Sequence, residues 1–332
     1  MRIAIFGTGG AGGYFGARLA RSGENVVFIA RGKHLEAIRN NGLRVDAREG
    51  EIVIQPAQAT DQPAEVGAVD VVLLGVKAWQ VPEAAEGLRP LIGSASFVVP
   101  LQNGVEAAAQ LVAVLGPEHV LGGLCGTLSW LTGPGRIRSI GGVHFVKFGE
   151  LDNRPSERAE RLRQVFERAG VNVEIPSDIE RALWEKFLFV VSLGGVGAVT
   201  RAPVGVLRSL PETRRMLERC MKEILAVGRA RRVSLPDAVI AKKLALVDSL
   251  DPSGTTSLHR DLAEGRPSEL EAWNGAVARL GREAGVATPL HDFIYDALLP
   301  RELRARGKVD YRAPDDGPAP AAAERILGLS QV

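Results

Sequence analysis

At 332 residues the chain is too long for one ordinary hydrophobic core, so its length implies two domains. Hydrophobic residues make up 45% and charged residues 24%, the balance of a soluble globular protein. Lysine and arginine (41) exceed aspartate and glutamate (39) by only two, which gives no electrostatic reason to expect nucleic acid or an anionic membrane as partner. The two cysteines, Cys125 and Cys220, form no CxxC pair, and a reduced, cytoplasmic setting follows more naturally than a disulfide scaffold or a zinc site. Glycines at 7, 9, 10, 12 and 13 interrupt the apolar N-terminus, so a strand fits it better than a signal peptide. The longest apolar run, 187–199, contains three glycines and falls short of the roughly 20 residues that cross a bilayer.

Through the first half, short runs rich in β-branched residues (2–6, 25–30, 69–76 and 96–100) alternate with helical patterns at 13–21, 81–88 and 107–115. Strand–helix alternation of this kind predicts a parallel, doubly wound sheet. Gly133-Pro134-Gly135 and Gly141-Gly142 punctuate strand-like stretches over 124–151, predicting hairpins at the sheet's edge. A helix over 156–169 and a strand over 171–175 follow. From Asp178 the strand signals stop, and helical patterns take over at 179–193, 211–232, 238–250, 268–284 and 290–299. The expected architecture is α/β: a Rossmann-type sheet domain over 1–177 joined at Pro176-Ser177 to an all-helical domain over 178–332. The tail 313–323 is dominated by proline and alanine and is expected to be loosely ordered.

Gly7-Thr8-Gly9-Gly10-Ala11-Gly12 fits G-x-G-x-x-G between a predicted strand and a predicted helix. The first glycine permits a tight turn, the second lets the backbone approach a pyrophosphate, and the third allows close helix–strand packing. Amide N–H groups at the helix start then face the phosphate. The motif alone is weak; its placement at the first strand–helix turn makes it a dinucleotide-binding expectation. An acid at the end of the second strand would bind the ribose 2′-hydroxyl of NAD. This chain instead has Arg31, followed by Gly32, Lys33 and His34, and a guanidinium there suits the 2′-phosphate of NADPH.

Three further positions lie where chemistry occurs in such a fold. Lys77 follows the third predicted strand and Asn103 the fourth, although a lone Lys or Asn there is most often a loop residue. Lys186 stands at the start of an apolar helical stretch, Lys186-Phe187-Leu188-Phe189-Val190, so it must either snorkel outward or face a polar cleft. Burial would lower its pKa and suit it to deliver a proton near neutral pH. Glu269 and Glu271 open the last long helical pattern but one, where spacing alone does not separate a catalytic acid from N-terminal helix charge. HExxH, EF-hand and GxSxG patterns are absent from the sequence, so no metal is expected.

With Gly7–Gly12, Arg31, Lys77-Ala78-Trp79-Gln80-Val81, Asn103-Gly104, Leu183-Trp184-Glu185-Lys186 and Ser257…Glu269…Asn274-Gly275 in this order, the chain resembles the ketopantoate reductase (2-dehydropantoate 2-reductase) family over nearly its whole length. The resemblance implies NADPH-dependent reduction of a 2-keto acid to the 2-hydroxy acid, as in pantothenate biosynthesis, in a cleft between the two domains. It implies Lys186 as proton donor, Asn103 on both cofactor and substrate, Lys77 and Glu269 toward the cofactor side, and Ser257 on the substrate. Family members usually carry asparagines where this chain has Val190, Gly194 and Val204, a loss that favours a bulkier or more apolar carbonyl. A non-catalytic NADPH-binding regulator is the rival from another class, and the long apolar helix faces are compatible with a homodimer.

Overall fold

The computed structural model describes residues 1–140 and 144–311; the Gly141-Gly142 turn and the 313–323 tail lie outside them. Twelve described strands precede the helical half: β1 Arg2–Phe6, β2 Asn25–Ile29, β3 Leu43–Ala47, β4 Gly50–Ile54, β5 Gln58–Thr60, β6 Val71–Leu74, β7 Phe97–Pro100, β8 Leu121–Gly126, β9 Ser129–Gly133, β10 Arg136–Ser139, β11 Phe145–Glu150 and β12 Asn172–Glu174. The main sheet is wholly parallel in the order β5-β2-β1-β6-β7, with Ile3 opposite both Val26 and Val71. The strand order reverses at β1, which opens a crevice at the carboxyl ends of β1 and β6 where such sheets take ligands.

Alternation along the strands explains why the sheet is covered on both faces. Ile3, Ile5, Phe28 and Leu73 pack with Tyr14, Phe15 and Leu19 of the helix Gly10–Arg21. Ala4, Phe6, Val72 and Leu74 point to the other side, against Val81, Ala85 and Leu88 of the helix Val81–Leu88 and Leu111 of Ala107–Leu115. Each fully buried Phe or Leu stabilises the fold by about 2 kcal/mol.

The hairpin expectation for 124–151 needs correction. β9 and β10 do form an antiparallel hairpin, but it pairs through β10 with β3, in a second sheet ordered β4-β3-β10-β9 that lies across the first helix. β8 and β11 form a third sheet with β12, tied to the main sheet by one parallel bridge, Val98 to Val120. The contact with the first helix is close: a side chain at Gly13 would collide with Ile137 of β10, and one at Gly10 with the backbone of Ser129.

The described helical half comprises Ile179–Thr200, Val204–Ser209, Pro211–Ala230, Val239–Ser249, Ser257–Ala263, Ala276–Ala284 and Pro289–Ala305. Asp178 caps the first of these by accepting from the Arg181 amide at 2.9 Å. That helix runs seven residues past the predicted end at 193. By length and composition it could cross a membrane, yet 61% of its apolar window is buried inside the protein. Phe187, Leu188 and Val191 pack there with Leu217, Met221, Ile224 and Trp273. The pattern over 268–284 predicts one helix; instead a π-helical turn, Glu271–Gly275, precedes Ala276–Ala284.

Candidate active site

A cleft of about 1110 Å³ runs from the glycine turn after β1 to the helical half, and it contains most of the sequence-predicted residues. Gly7 leaves β1 with φ +98, and a Cβ there would stand 2.7 Å from the Val76 backbone nitrogen, so the turn tolerates only glycine. A side chain at Gly12 would strike the Gly7 carbonyl, whereas the space beside Gly9 is open. Gly9 is the N-cap of the helix Gly10–Arg21 without a side-chain cap, so the first amides of that helix stay available to a ligand. This cradle fits the pyrophosphate of a dinucleotide, and Gly7, Thr8, Gly9, Gly10 and Ala11 line the cleft. Thr8 contributes backbone only: its hydroxyl donates inward to the Ile29 carbonyl at 3.0 Å.

Arg31 follows β2 in extended conformation (φ −133) and caps the helix Gly32–Asn41. Its side chain is 74% exposed on the cleft rim, with Glu83 only at 3.8 Å, so its donors are free to meet a phosphate. His34, to which sequence reasoning gave no role, joins two parts of this region. Its Nδ1 accepts from the Gly135 amide at 2.9 Å, which makes Nε2 the protonated nitrogen that donates to the Thr8 carbonyl at 2.8 Å. Burial lowers its pKa, against the pull of the Thr8 carbonyl, in keeping with a neutral ring.

At the opposite wall the two halves meet through polar contacts. Lys77 Nζ lies 3.0 Å from Asp261, and the Ala78 amide donates to Glu269 at 3.0 Å. Arg279 grips Glu106 with both ends of its guanidinium, at 2.9 and 2.7 Å. Gln102, also unnoticed in the sequence, donates to the carbonyls of Leu74 and Val76 at 2.9 and 3.0 Å and so ties the segment after β7 to the end of β6. The signal was available, since Gln102 directly precedes Asn103 at the end of an apolar strand.

Lys186 reaches across from the helix Ile179–Thr200 and donates to the Cys125 carbonyl on β8. Burial depresses its pKa, with Cys125 and Glu269 acting in the opposite sense. Glu269 is 7% exposed; burial raises its pKa, while Lys77, the Ala78 amide and Lys186 oppose that rise. Asn103, Ser257 and Glu269 all line the cleft with Lys186. The arrangement brings a desolvated ammonium, a buried carboxyl, an amide and a hydroxyl to the mouth of a dinucleotide cradle.

Val190 and Val204 also line this wall, but Gly194 does not. The sequence suggests that Gly194 leaves room where an amide would stand. That reading is wrong, because the indole of Trp273 fills the place.

Two family models match the chain in tandem: ketopantoate reductase PanE/ApbA over residues 3–153 and its C-terminal counterpart over 178–302. The chain belongs to the ketopantoate reductase family. A 2-dehydropantoate 2-reductase of Mesorhizobium japonicum is 33% identical, covering 92% of this chain and 99% of its own. The solved 2-dehydropantoate 2-reductase of Geobacter metallireducens is 30% identical with a TM-score of 0.85, over 90% of this chain and 99% of that one. D-mandelate dehydrogenase, solved with NADH and anilino(oxo)acetate, shares the fold at 24% identity and a TM-score of 0.85, over 92% of this chain and 100% of its own. Family membership makes the protein a nicotinamide-dependent oxidoreductase acting on CH–OH donors.

Proposed function

We propose that this protein reduces a 2-keto acid to the 2-hydroxy acid with NADPH, with Lys186 as proton donor. The observation that carries the reading is Lys186 itself, which crosses from the helical half and meets the Cys125 carbonyl in the same cleft as the glycine cradle. When bound, the cofactor supplies a hydride to the carbonyl carbon. The amides at the start of the helix Gly10–Arg21 hold its pyrophosphate, and Arg31 holds the 2′-phosphate that distinguishes NADPH from NADH. Asn103 positions the nicotinamide side and the substrate. Lys186 faces the carbonyl oxygen, stabilises the charge that develops there and passes its proton to it. The Glu269 carboxyl, whose charge acts on Lys186, favours the protonated ammonium, and Ser257 contacts the substrate.

A second reading concerns the substrate's side chain. Val190, Val204, Leu193 and Trp273 line the substrate wall, and none of the two valines, the leucine or Gly194 carries a side-chain hydrogen-bonding group. This wall favours a keto acid bulkier and more apolar than ketopantoate. The deciding experiment incubates the protein with NADPH and a panel of keto acids that includes ketopantoate, reading NADPH absorbance. Turnover of an apolar keto acid above ketopantoate supports both readings. NADPH binding with no oxidation across the panel replaces the enzyme by a cofactor-sensing regulator.

A further inference from the structure

Several cations around the cleft have a carboxylate partner. Lys77 has Asp261 at 3.0 Å, Lys147 has Glu174 at 2.5 Å and Lys243 has Glu185 at 3.6 Å. Arg260, which lines the same cleft and is half-buried, makes no ion pair among the described residues. Its sequence neighbour Asp261 is held instead by Lys77 and, at 2.8 Å, by Arg266. A guanidinium partly withdrawn from water without a carboxylate carries a desolvation cost that a bound anion would offset.

Its geometry shows which edge an anion would meet. Arg260 Nη1 donates to the Thr255 carbonyl at 2.7 Å and to the Thr255 hydroxyl at 3.2 Å. Those bonds fix the guanidinium and leave Nε–H and Nη2–H with no hydrogen-bond acceptor among the described residues. Two parallel donors on one edge are the arrangement that takes a carboxylate bidentately. Arg260 follows Ser257 by three residues on the helix Ser257–Ala263, so both stand on one helix face, and both line the cleft.

We propose that Arg260 binds the carboxylate of the substrate through its Nε–Nη2 edge, serving in place of the side-chain amides that Val190 and Val204 do not supply. The assignment rests on the keto acid reading above and narrows it. Amides around a substrate recognise hydroxyl groups along its side chain. A guanidinium recognises only the anion and leaves the rest of the substrate to the apolar wall of Val190, Val204 and Trp273. The substrate class is therefore 2-keto acids with apolar side chains, in preference to neutral ketones and keto esters.

The test compares wild type, Arg260→Ala and Arg260→Lys on 2-keto-4-methylpentanoate and on its methyl ester, with NADPH affinity measured by fluorescence to show that each variant is folded. Wild type is expected to prefer the acid over the ester by about 100-fold in kcat/KM, within the range that hydrogen bonds to a charged group contribute. Arg260→Ala is expected to lose most of that preference, chiefly through KM, with the ester rate within about threefold of wild type. Arg260→Lys keeps the charge without the fork and is expected to fall between the two. Equal losses on acid and ester in a variant that binds NADPH normally would overturn the assignment. If Arg260→Ala does not fold, an unchanged acid-to-ester ratio in Arg260→Lys overturns it and a reduced ratio supports it. A wild-type protein that reduces the acid but shows no preference over the ester overturns the role of Arg260 alone. One that reduces neither overturns the keto acid reading itself.

Discussion

Gly194 and Trp273 are complementary: a Cβ built on Gly194 would lie 2.6 Å from Cζ3 and 3.0 Å from Cε3 of the indole. Trp273 is 1% exposed and sits on the π-helical turn Glu271–Gly275, which brings its ring against the helix Ile179–Thr200. Any side chain at 194 must displace that ring. Gly194→Asn is therefore expected to destabilise the protein by about 1–3 kcal/mol, the usual cost of overpacking a core. A thermal melt unchanged from wild type would show that the indole yields freely. A Val190→Asn, Gly194→Asn pair is likewise expected to lose stability rather than recover a ketopantoate site.

Val190 offers the cleaner test of the substrate wall, since it lines the cleft and is not fully buried. Val190→Asn adds an amide NH2 with two donors and a carbonyl acceptor where a polar substrate group would otherwise face a methyl. A neutral hydrogen bond is worth about 0.5–1.5 kcal/mol, so the ratio of kcat/KM for ketopantoate over an apolar keto acid should rise by roughly 2–12-fold. A ratio that stays constant, or falls, removes Val190 from the determinants of specificity.

Arg31 makes only a distant contact with Glu83, at 3.8 Å, and both side chains are largely exposed. Little structural support is lost with it. Arg31→Ala should weaken NADPH binding by about 1.5–3 kcal/mol, the range for hydrogen bonds to charged groups, and leave NADH binding nearly unchanged. Equal weakening of both dinucleotides would show that Arg31 serves the loop and not the 2′-phosphate.

The strands that carry the cofactor cradle were legible because each is short, apolar and buried on both faces, so β1, β2, β6 and β7 announce themselves by composition. β3 and β4 were not. Arg44 and Asp46 alternate with buried Leu43 and Val45, and such half-buried strands look polar until the partner covering one face is known. The glycine turn, Arg31, Lys77 and Asn103 stand in one cleft because the turns after β1, β2, β6 and β7 converge there, and Ser257 and Glu269 reach it from the helical half. What sequence hid depended on long-range contact: His34 joining Thr8 to Gly135, the Trp273 ring behind Gly194, and the missing carboxylate at Arg260.

His291 links stability to pH. It is fully buried, donates from Nε2 to the Cys220 carbonyl at 3.1 Å and accepts on Nδ1 from the Asn274 amide at 3.0 Å, so only the neutral ring fits. Burial pushes its pKa down to about 4, with the Cys220 carbonyl opposing. The unfolded chain, with a histidine pKa of about 6.5, takes up the proton first as pH falls. The stabilisation is complete above that value and drains away between about pH 6.5 and 4, by a total of about 3 kcal/mol. Urea titrations across this range should show His291→Gln less stable than wild type at neutral pH but less sensitive to acid. Parallel pH profiles for the two proteins would mean that His291 does not carry the linkage.

Lys186 should impose the opposite pH dependence on turnover. A general acid must be protonated to act, and burial depresses the Lys186 pKa below that of a free lysine, about 10.4. The activity it supports is present below that depressed value and is lost as pH rises through it. Lys186→Ala should retain NADPH binding, because the glycine cradle and Arg31 lie on the other half of the protein, while kcat falls by about 10²–10⁴-fold. Lys186→Arg supplies the charge with a pKa too high to yield a proton easily. It should therefore keep part of the electrostatic stabilisation at the carbonyl oxygen, lose most of kcat and shed the alkaline limb of the profile. This pattern separates a proton donor from a lysine that only holds the Cys125 carbonyl in place. If Lys186→Ala kept more than about a tenth of kcat on the best substrate, or if the alkaline limb persisted unchanged in Lys186→Arg, the proton would have to come from another group.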